Sequence, residues 1–228
     1  MCDMTTVGAR LAAIVAGDPG RPLLTWYDDD TGERTELSGA TVANWAAKTA
    51  NLVVEGAGLD PGDRAAVLLP PHWQSAAVLL GCWSAGLTVA ALPGPAEVGF
   101  ATPDRATELD QPERYLVGLH PLGLPLPAVP EGYHDYSGEV RGYGDHFVPA
   151  VPLEPQDDLL NAAATRAAEL EIEPGDRVLI DAARDPDPLN WLLAPLAVGA
   201  SVVLCGHLDP ESIWERVGAE RVTRNLAR

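Results

Sequence analysis

The chain has 228 residues, 46% of them hydrophobic, which is enough to bury a core as one large domain or two small lobes. Its formal net charge of −18 repels phosphates, which argues against DNA, RNA or an anionic membrane as the main partner and fits a well-dispersed soluble surface. Cys2, Cys82 and Cys205 are widely spaced with no Cys-x-x-Cys pair, so a disulfide framework or zinc site is not expected, and Cys82 and Cys205 read as small core residues.

No stretch approaches the roughly 20 apolar residues of a membrane helix, and the N-terminus has no basic region followed by an apolar one. The expected compartment is the reduced cytoplasm.

Residues 6–16 place Val7, Leu11, Ile14 and Val15 on one helical face, and Asp18-Pro19-Gly20 ends that helix. Residues 23–27 and 34–37 read as a hairpin around Asp28-Asp29-Asp30-Thr31-Gly32-Glu33. Three adjacent Asp invite a calcium reading, but the sixth and twelfth loop positions, Gly and Glu in an EF-hand, hold Glu33 and Gly39. The run is expected to be a solvated turn, with no metal. Residues 40–55 form the clearest helix, with Val42, Trp45, Ala46, Thr49, Leu52 and Val53 buried. Asn44, Lys48, Asn51 and Glu55 lie on its wet face, so Lys48, the one lysine of the chain, is expected in solvent.

The organising unit follows, and it comes twice. Leu59-Asp60-Pro61-Gly62-Asp63-Arg64 is a Pro-Gly turn leading into the apolar run 65–69, which reads as a strand buried on both faces. Pro70-Pro71 ends the strand, 74–85 suits a helix, Gly86 suits a left-handed cap, and 87–92 is the returning strand. Ile172-Glu173-Pro174-Gly175-Asp176-Arg177 starts the second copy, with strands at 178–180 and 201–205 and a helix at 188–198 opened by Asp185-Pro186-Asp187-Pro188. The offset is constant at 113 (174 − 61 and 199 − 86). Each copy is preceded by a helix, the second at 158–170 with Asn161, Arg166 and Glu169 facing out. Asp209-Pro210-Glu211 opens a last helix ended by Gly218, and 221–223 reads as a short final strand.

Parallel strands joined by helices make right-handed crossovers, so the expected fold is α/β, with two related, helix-flanked, mainly parallel-sheet lobes. The expected boundaries are a first lobe at 1–114, carrying the N-terminal helix and hairpin, a connecting segment at 115–156 and a second lobe at 157–228. The connecting segment includes the irregular run 121–130 and a stretch with Tyr133, His134, Tyr136, Tyr143 and His146, read as ordered loop packing and not as a metal or catalytic site.

These pieces, in this order, resemble a known family. The hairpin, the helix 40–55, Gly58-Leu59-Asp60-Pro61-Gly62-Asp63-Arg64-Ala65-Ala66-Val67-Leu68-Leu69-Pro70, Trp73 and Leu79-Leu80-Gly81-Cys82-Trp83-Ser84-Ala85-Gly86 are similar to the start of AMP-dependent synthetase/ligases. These are the adenylate-forming enzymes that include acyl-CoA synthetases. The second copy and Glu220-Arg221-Val222-Thr223 resemble the same family further along.

The resemblance implies ATP-driven activation of a carboxylate and transfer of the acyl group to a thiol such as coenzyme A. It also implies a Ser/Thr/Gly-rich phosphate loop ending in Pro-Lys-Gly before the helix 158–170. That place reads Phe147-Val148-Pro149-Ala150-Val151-Pro152-Leu153-Glu154-Pro155-Gln156, without a Gly to bring backbone amides close or a Lys to offset phosphate charge. The family's aromatic-His pair after the second strand is replaced by Ala182-Ala183-Arg184-Asp185. Its later motifs and the C-terminal domain with its catalytic lysine lie beyond residue 228.

No Gly-x-Gly-x-x-Gly follows a strand, and Ser84 between Gly81 and Gly86 has the wrong spacing for a nucleophile elbow. The expectation is a relative without its own catalysis or cofactor, acting as a binding module with a partner protein or as a homodimer. ATP, AMP or coenzyme A would enter only if family binding is retained. The alternatives are a ligase completed by a partner chain, or an acyl or nucleotide binder. For such a ligand the residues at the carboxyl ends of strands are His72, Trp73, Asp185, Asn190 and Trp191.

Overall fold

The computed structural model describes residues 5–90 and 94–227. In chain order the elements are α1 (Val7–Gly17), β1 (Pro22–Asp28), β2 (Glu33–Ser38), α2 (Gly39–Asn51), β3 (Arg64–Leu68), α3 (Trp73–Ser84), β4 (Thr88–Ala90), β5 (Val98–Ala101), β6 (Glu113–Leu116), β7 (His134–Asp135), α4 (Tyr136–Val140), α5 (Asp157–Glu169), β8 (Arg177–Asp181), α6 (Ala194–Val198), β9 (Ser201–Gly206), α7 (Ile213–Ala219) and β10 (Arg224–Asn225). A π-turn, Leu52–Gly56, extends α2, and another, Leu189–Leu193, precedes α6. Cys2 and residues 91–92 of the expected returning strand lie outside the described residues.

The chain forms two compact units. One comprises residues 1–42, 70–73 and 156–228 and holds a sheet in the order β10-β8-β9-β1-β2. Its strands are parallel except for the β1–β2 hairpin, and its core includes Leu24, Leu179, Ile180, Trp191 and Val203. The other unit comprises residues 43–69 and 74–155 and holds an all-parallel sheet in the order β4-β3-β5-β6-β7. Here Phe100 stacks on Tyr115 with ring centroids 5.3 Å apart, and Tyr136 meets Phe100 edge-on at 6.1 Å. A Cβ at Gly81 would overlap the Thr49 side chain, so the missing side chain is what lets α3 close onto α2.

The local geometry of the two Pro-Gly turns recurs residue by residue. Asp60 N–H donates to Asp63 Oδ2 at 2.8 Å, and Glu173 N–H donates to Asp176 Oδ2 at 2.7 Å. Gly62 and Gly175 have φ of +99° and +90°, and the capping Gly86 and Gly199 have +83° and +77°. Thr88 N–H donates to Asp63 O at 2.8 Å, as Ser201 N–H does to Asp176 O. The strand registers match too, with Arg64 opposite Thr88 and Arg177 opposite Ser201.

Several expectations are corrected. The hairpin, read with the first lobe, is hydrogen-bonded into the sheet of the second: Leu24, Thr25 and Trp26 pair in parallel with Val202, Val203 and Leu204. That pairing spans most of the chain, and local patterns do not encode it. Likewise β7 and α4, from the expected connecting segment, belong to the same unit as β3–β6. Gly218 does not end α7; the helix runs to Ala219, and the chain turns at Arg221 with φ +53°. Lys48 is not a free surface lysine: its Nζ donates to Tyr143 O at 2.6 Å and pairs with Asp145 Oδ1 at 2.8 Å. The final strand lies at Arg224–Asn225 instead of 221–223.

Candidate functional site

The resemblance places a phosphate loop at residues 147–156. There the chain has no regular secondary structure until α5 begins. Among the described residues, no hydrogen bond engages the backbone of 147–155. Gln156 is committed locally: its N–H donates to Thr5 O at 2.7 Å, and its Oε1 accepts from Val7 N–H at 2.8 Å. The first turn of α5 then carries Asp157 and Asp158. A helix N-terminus attracts anions, but two carboxylates already occupy the positive end of this dipole, and a phosphate would meet their charge. The residues present do not fit the phosphates of ATP.

At the place of the family's aromatic-His pair, the end of β8 is folded into a tight turn. Ala183 N–H donates to Asp181 Oδ1 at 3.0 Å, and the N–H groups of Arg184 and Asp185 bond to Asp181 O.

The five strand-end residues divide into two groups. His72, Trp73 and Trp191 are only 2%, 2% and 1% exposed, and they fill the interior instead of facing an open site. The His72 ring meets Trp26 edge-on, 4.7 Å between centroids. Burial pushes its imidazole down to about 3, against a smaller opposing pull from Asp28, so the ring is neutral. Asp185 and Asn190 are half-buried and meet each other: Asn190 Nδ2 donates to Asp185 Oδ1 at 2.9 Å. Arg166 Nε donates to Asn190 Oδ1 at 2.7 Å, and its Nη1 pairs with Glu169 Oε2 at 2.9 Å. Helical periodicity placed Arg166 in solvent; its spacing to Asn190 is tertiary and carries no local signal.

Asp28-Asp29-Asp30 is not simply a solvated turn. Asp29 Oδ1 accepts from Arg216 Nη2 at 2.6 Å, while Oδ2 accepts from Asp209 N–H at 2.7 Å. Burial raises the Asp29 pKa, but these bonds outweigh it and hold the carboxyl below its usual range. Asp28 Oδ1 lies 3.0 Å from His207 Nδ1. Among the described residues, no cluster of His, Cys, Asp and Glu is placed to hold a metal.

Close by, the Glu220 carboxylate accepts from Tyr27 Oη at 2.6 Å, from Arg34 Nη2 at 2.8 Å and from Arg177. Burial works against its ionisation, yet the bonds from Tyr27, Arg177 and Arg34 hold it at about 2. Three donors of the protein converge on this one carboxylate, as in a structural network.

A cavity of about 280 Å³ lies beside Ile14, Asp18, Arg21, Pro22, Leu23 and Gly199. Pro22 starts β1 and Gly199 precedes β9, so it opens at the amino ends of strands, whereas α/β sheets bind ligands at the carboxyl ends. No helix among the described residues is long and apolar enough to cross a membrane.

No family model matches the chain. A TIGR03089 family protein of Mycobacterium tuberculosis is 41% identical over 238 residues, a span of 97% of this chain and 98% of that protein. Among solved structures, an acyl-CoA synthetase of Brucella canis superposes with a TM-score of 0.76 at 18% identity, covering 96% of this chain and 46% of that one. Acetoacetyl-CoA synthetase from Streptomyces lividans gives 0.76 at 17% identity, covering 96% and 41%. A benzoate CoA ligase from Burkholderia xenovorans gives 0.67 at 18% identity, covering 96% and 49%. At these identities the likeness is one of fold, and this chain spans less than half the length of each of the three enzymes.

Proposed function

We propose that this chain, which belongs to the TIGR03089 family and shares the α/β fold of the N-terminal region of acyl-CoA synthetases, does not form acyl-adenylates itself and acts by engaging a protein partner. One observation carries the reading: the segment at the phosphate-loop position, residues 147–156, offers no Gly and no Lys, and it leads into a helix headed by Asp157 and Asp158. Positioned charge at a transferring phosphoryl group is worth several kcal/mol, and its removal typically costs roughly 10²–10³ in rate per donor. Replacing the whole clamp by prolines and carboxylates leaves no route to adenylation on these residues.

The test is the thermal midpoint of the intact chain with and without ATP–Mg²⁺, AMP and a non-hydrolysable acyl-adenylate analogue at millimolar concentration. The reading predicts an unchanged midpoint in all three. A raised midpoint means the folded state binds the ligand and overturns it.

A second reading has one observation in its favour, the fold shared with the Brucella enzyme at a TM-score of 0.76. On that reading a separate polypeptide supplies the missing groups, and pyrophosphate exchange appears only when the two are mixed.

A further inference from the structure

Among the described residues, four other than glycine hold a left-handed backbone: Leu119, Glu171, His207 and Arg221. Glu171 and Arg221 follow α5 and α7, where such a turn satisfies the last helical carbonyls. Leu119 leads into the turn that Gly123 N–H closes on His120 O. His207, at φ +45°, ends no helix and follows β9 directly. An L side chain is strained there, and such strain persists only where surrounding contacts impose it.

The contact at His207 is to a carboxylate. Its Nδ1 lies 3.0 Å from Asp28 Oδ1, on a side chain only 13% exposed. The same oxygen accepts Asp30 N–H at 3.0 Å, and Asp29 N–H bonds to Gly206 O at 3.2 Å. Strands β1 and β9 run parallel with Asp28 opposite Gly206, so the pair stands at their carboxyl ends. Beyond β9 the chain passes through α7 to β10 on the far side of β8. The strand order thus reverses at β8–β9, the place where open α/β sheets bind ligands. In the neutral ring the bond to Asp28 keeps the proton on Nδ1 and leaves the lone pair on Nε2. The His207 side chain is 62% exposed, and among the described residues no group bonds to Nε2. An imidazole oriented by a carboxylate, with its other nitrogen open, is the arrangement that nucleophilic and general-base sites share.

We infer that His207, oriented by Asp28, is a reactive imidazole that cleaves small uncharged carboxylic esters. Nε2 attacks the carbonyl carbon, the ester C–O bond breaks, and the alkoxide leaves with the electron pair. Water then adds to the acyl carbon and the acyl–N bond breaks. One proton of the water goes to the alkoxide, and the acid and the free imidazole are released. Asp28 and Asp30 of the hairpin turn are the charged groups that act on the ring, and Asp209 and Glu211 follow it in the chain. This negative surround repels polyanionic phosphoryl donors and leaves uncharged esters as the class that can approach. The inference goes beyond the partner reading and does not rest on it.

The experiment follows p-nitrophenolate release from p-nitrophenyl acetate by the intact chain. Release about tenfold faster than with equimolar N-acetylhistidine amide is expected. It should be lost in His207→Gln and fall severalfold in Asp28→Asn. The bond to Asp28 holds the ring's pKa above its ordinary value, so the rate should rise with pH through a midpoint above about 6.5. Asp28→Asn should move that midpoint down, and ¹⁵N imidazole shifts should show the Nδ1–H form giving way. His207→Gly should raise the thermal midpoint by relieving the backbone, whereas a merely structural His–Asp pair would lower it on removal. The inference is overturned if release is no faster than the reference, if it survives His207→Gln, or if His207→Gly lowers the midpoint.

Discussion

Arg221 holds a left-handed backbone, φ +53°, just past α7. Its N–H bonds to Gly218 O at 3.3 Å and Val222 N–H bonds to Val217 O at 3.0 Å, the paired bonds of a Schellman cap. An L side chain there is strained where glycine is not, so Arg221→Gly should stabilise the chain by about 0.5–1 kcal/mol, read as a higher urea midpoint at unchanged slope. His72 makes a prediction of opposite sense. Its folded-state pKa, near 3, lies below the unfolded value of about 6.5, so the unfolded chain binds more protons between those limits. Stability should therefore fall as pH drops below about 6.5, with a slope of up to roughly 1.4 kcal/mol per pH unit from this group. In His72→Phe the slope between pH 6 and 5 should flatten; an unchanged slope would contradict the burial argument. His207 works the other way, since Asp28 raises its pKa and its contribution is lost as pH rises, but it is exposed and its effect is small.

At the scale of elements, Glu220 ties together Tyr27 of β1, Arg34 of β2 and Arg177 at the start of β8. Its side chain is 6% exposed, so removing its charge leaves Arg177 with only the Glu36 carboxylate, 4.0 Å away. Glu220→Gln should cost about 3 kcal/mol, whereas breaking the exposed pair Arg105–Glu108 should cost far less. Equal losses in urea unfolding would refute the network's role.

Elements marked by strong local chemistry were legible in the sequence. The turns at Gly62 and Gly175, the strands β3, β8 and β9 and the helices α2, α3 and α5 follow from Pro-Gly pairs, apolar runs and periodicity. Strand β5 was not legible, because Val98-Gly99-Phe100-Ala101 is too short to show a period and owes its place to neighbours on both sides. The pairings of Lys48 with Tyr143 O, Asp29 with Arg216 and Arg166 with Asn190 were invisible for a related reason: each joins residues whose proximity exists only in the fold. Of the strand-end residues, polarity and position could nominate His72, but only packing shows it buried against Trp26.

For the whole molecule, fold and chemistry separate. The chain shares the fold of an acyl-CoA synthetase over 96% of its length, yet residues 147–158 present prolines and carboxylates and no glycine or lysine. The most direct test is the thermal midpoint with the non-hydrolysable acyl-adenylate analogue, which carries both halves of the adenylate. A ligand at 100 times its dissociation constant adds about 2.7 kcal/mol, or on the order of 5–10 °C for a chain of this size. The account predicts no shift. A shift of that size would contradict it and show that this fold has kept an adenylate site on other residues.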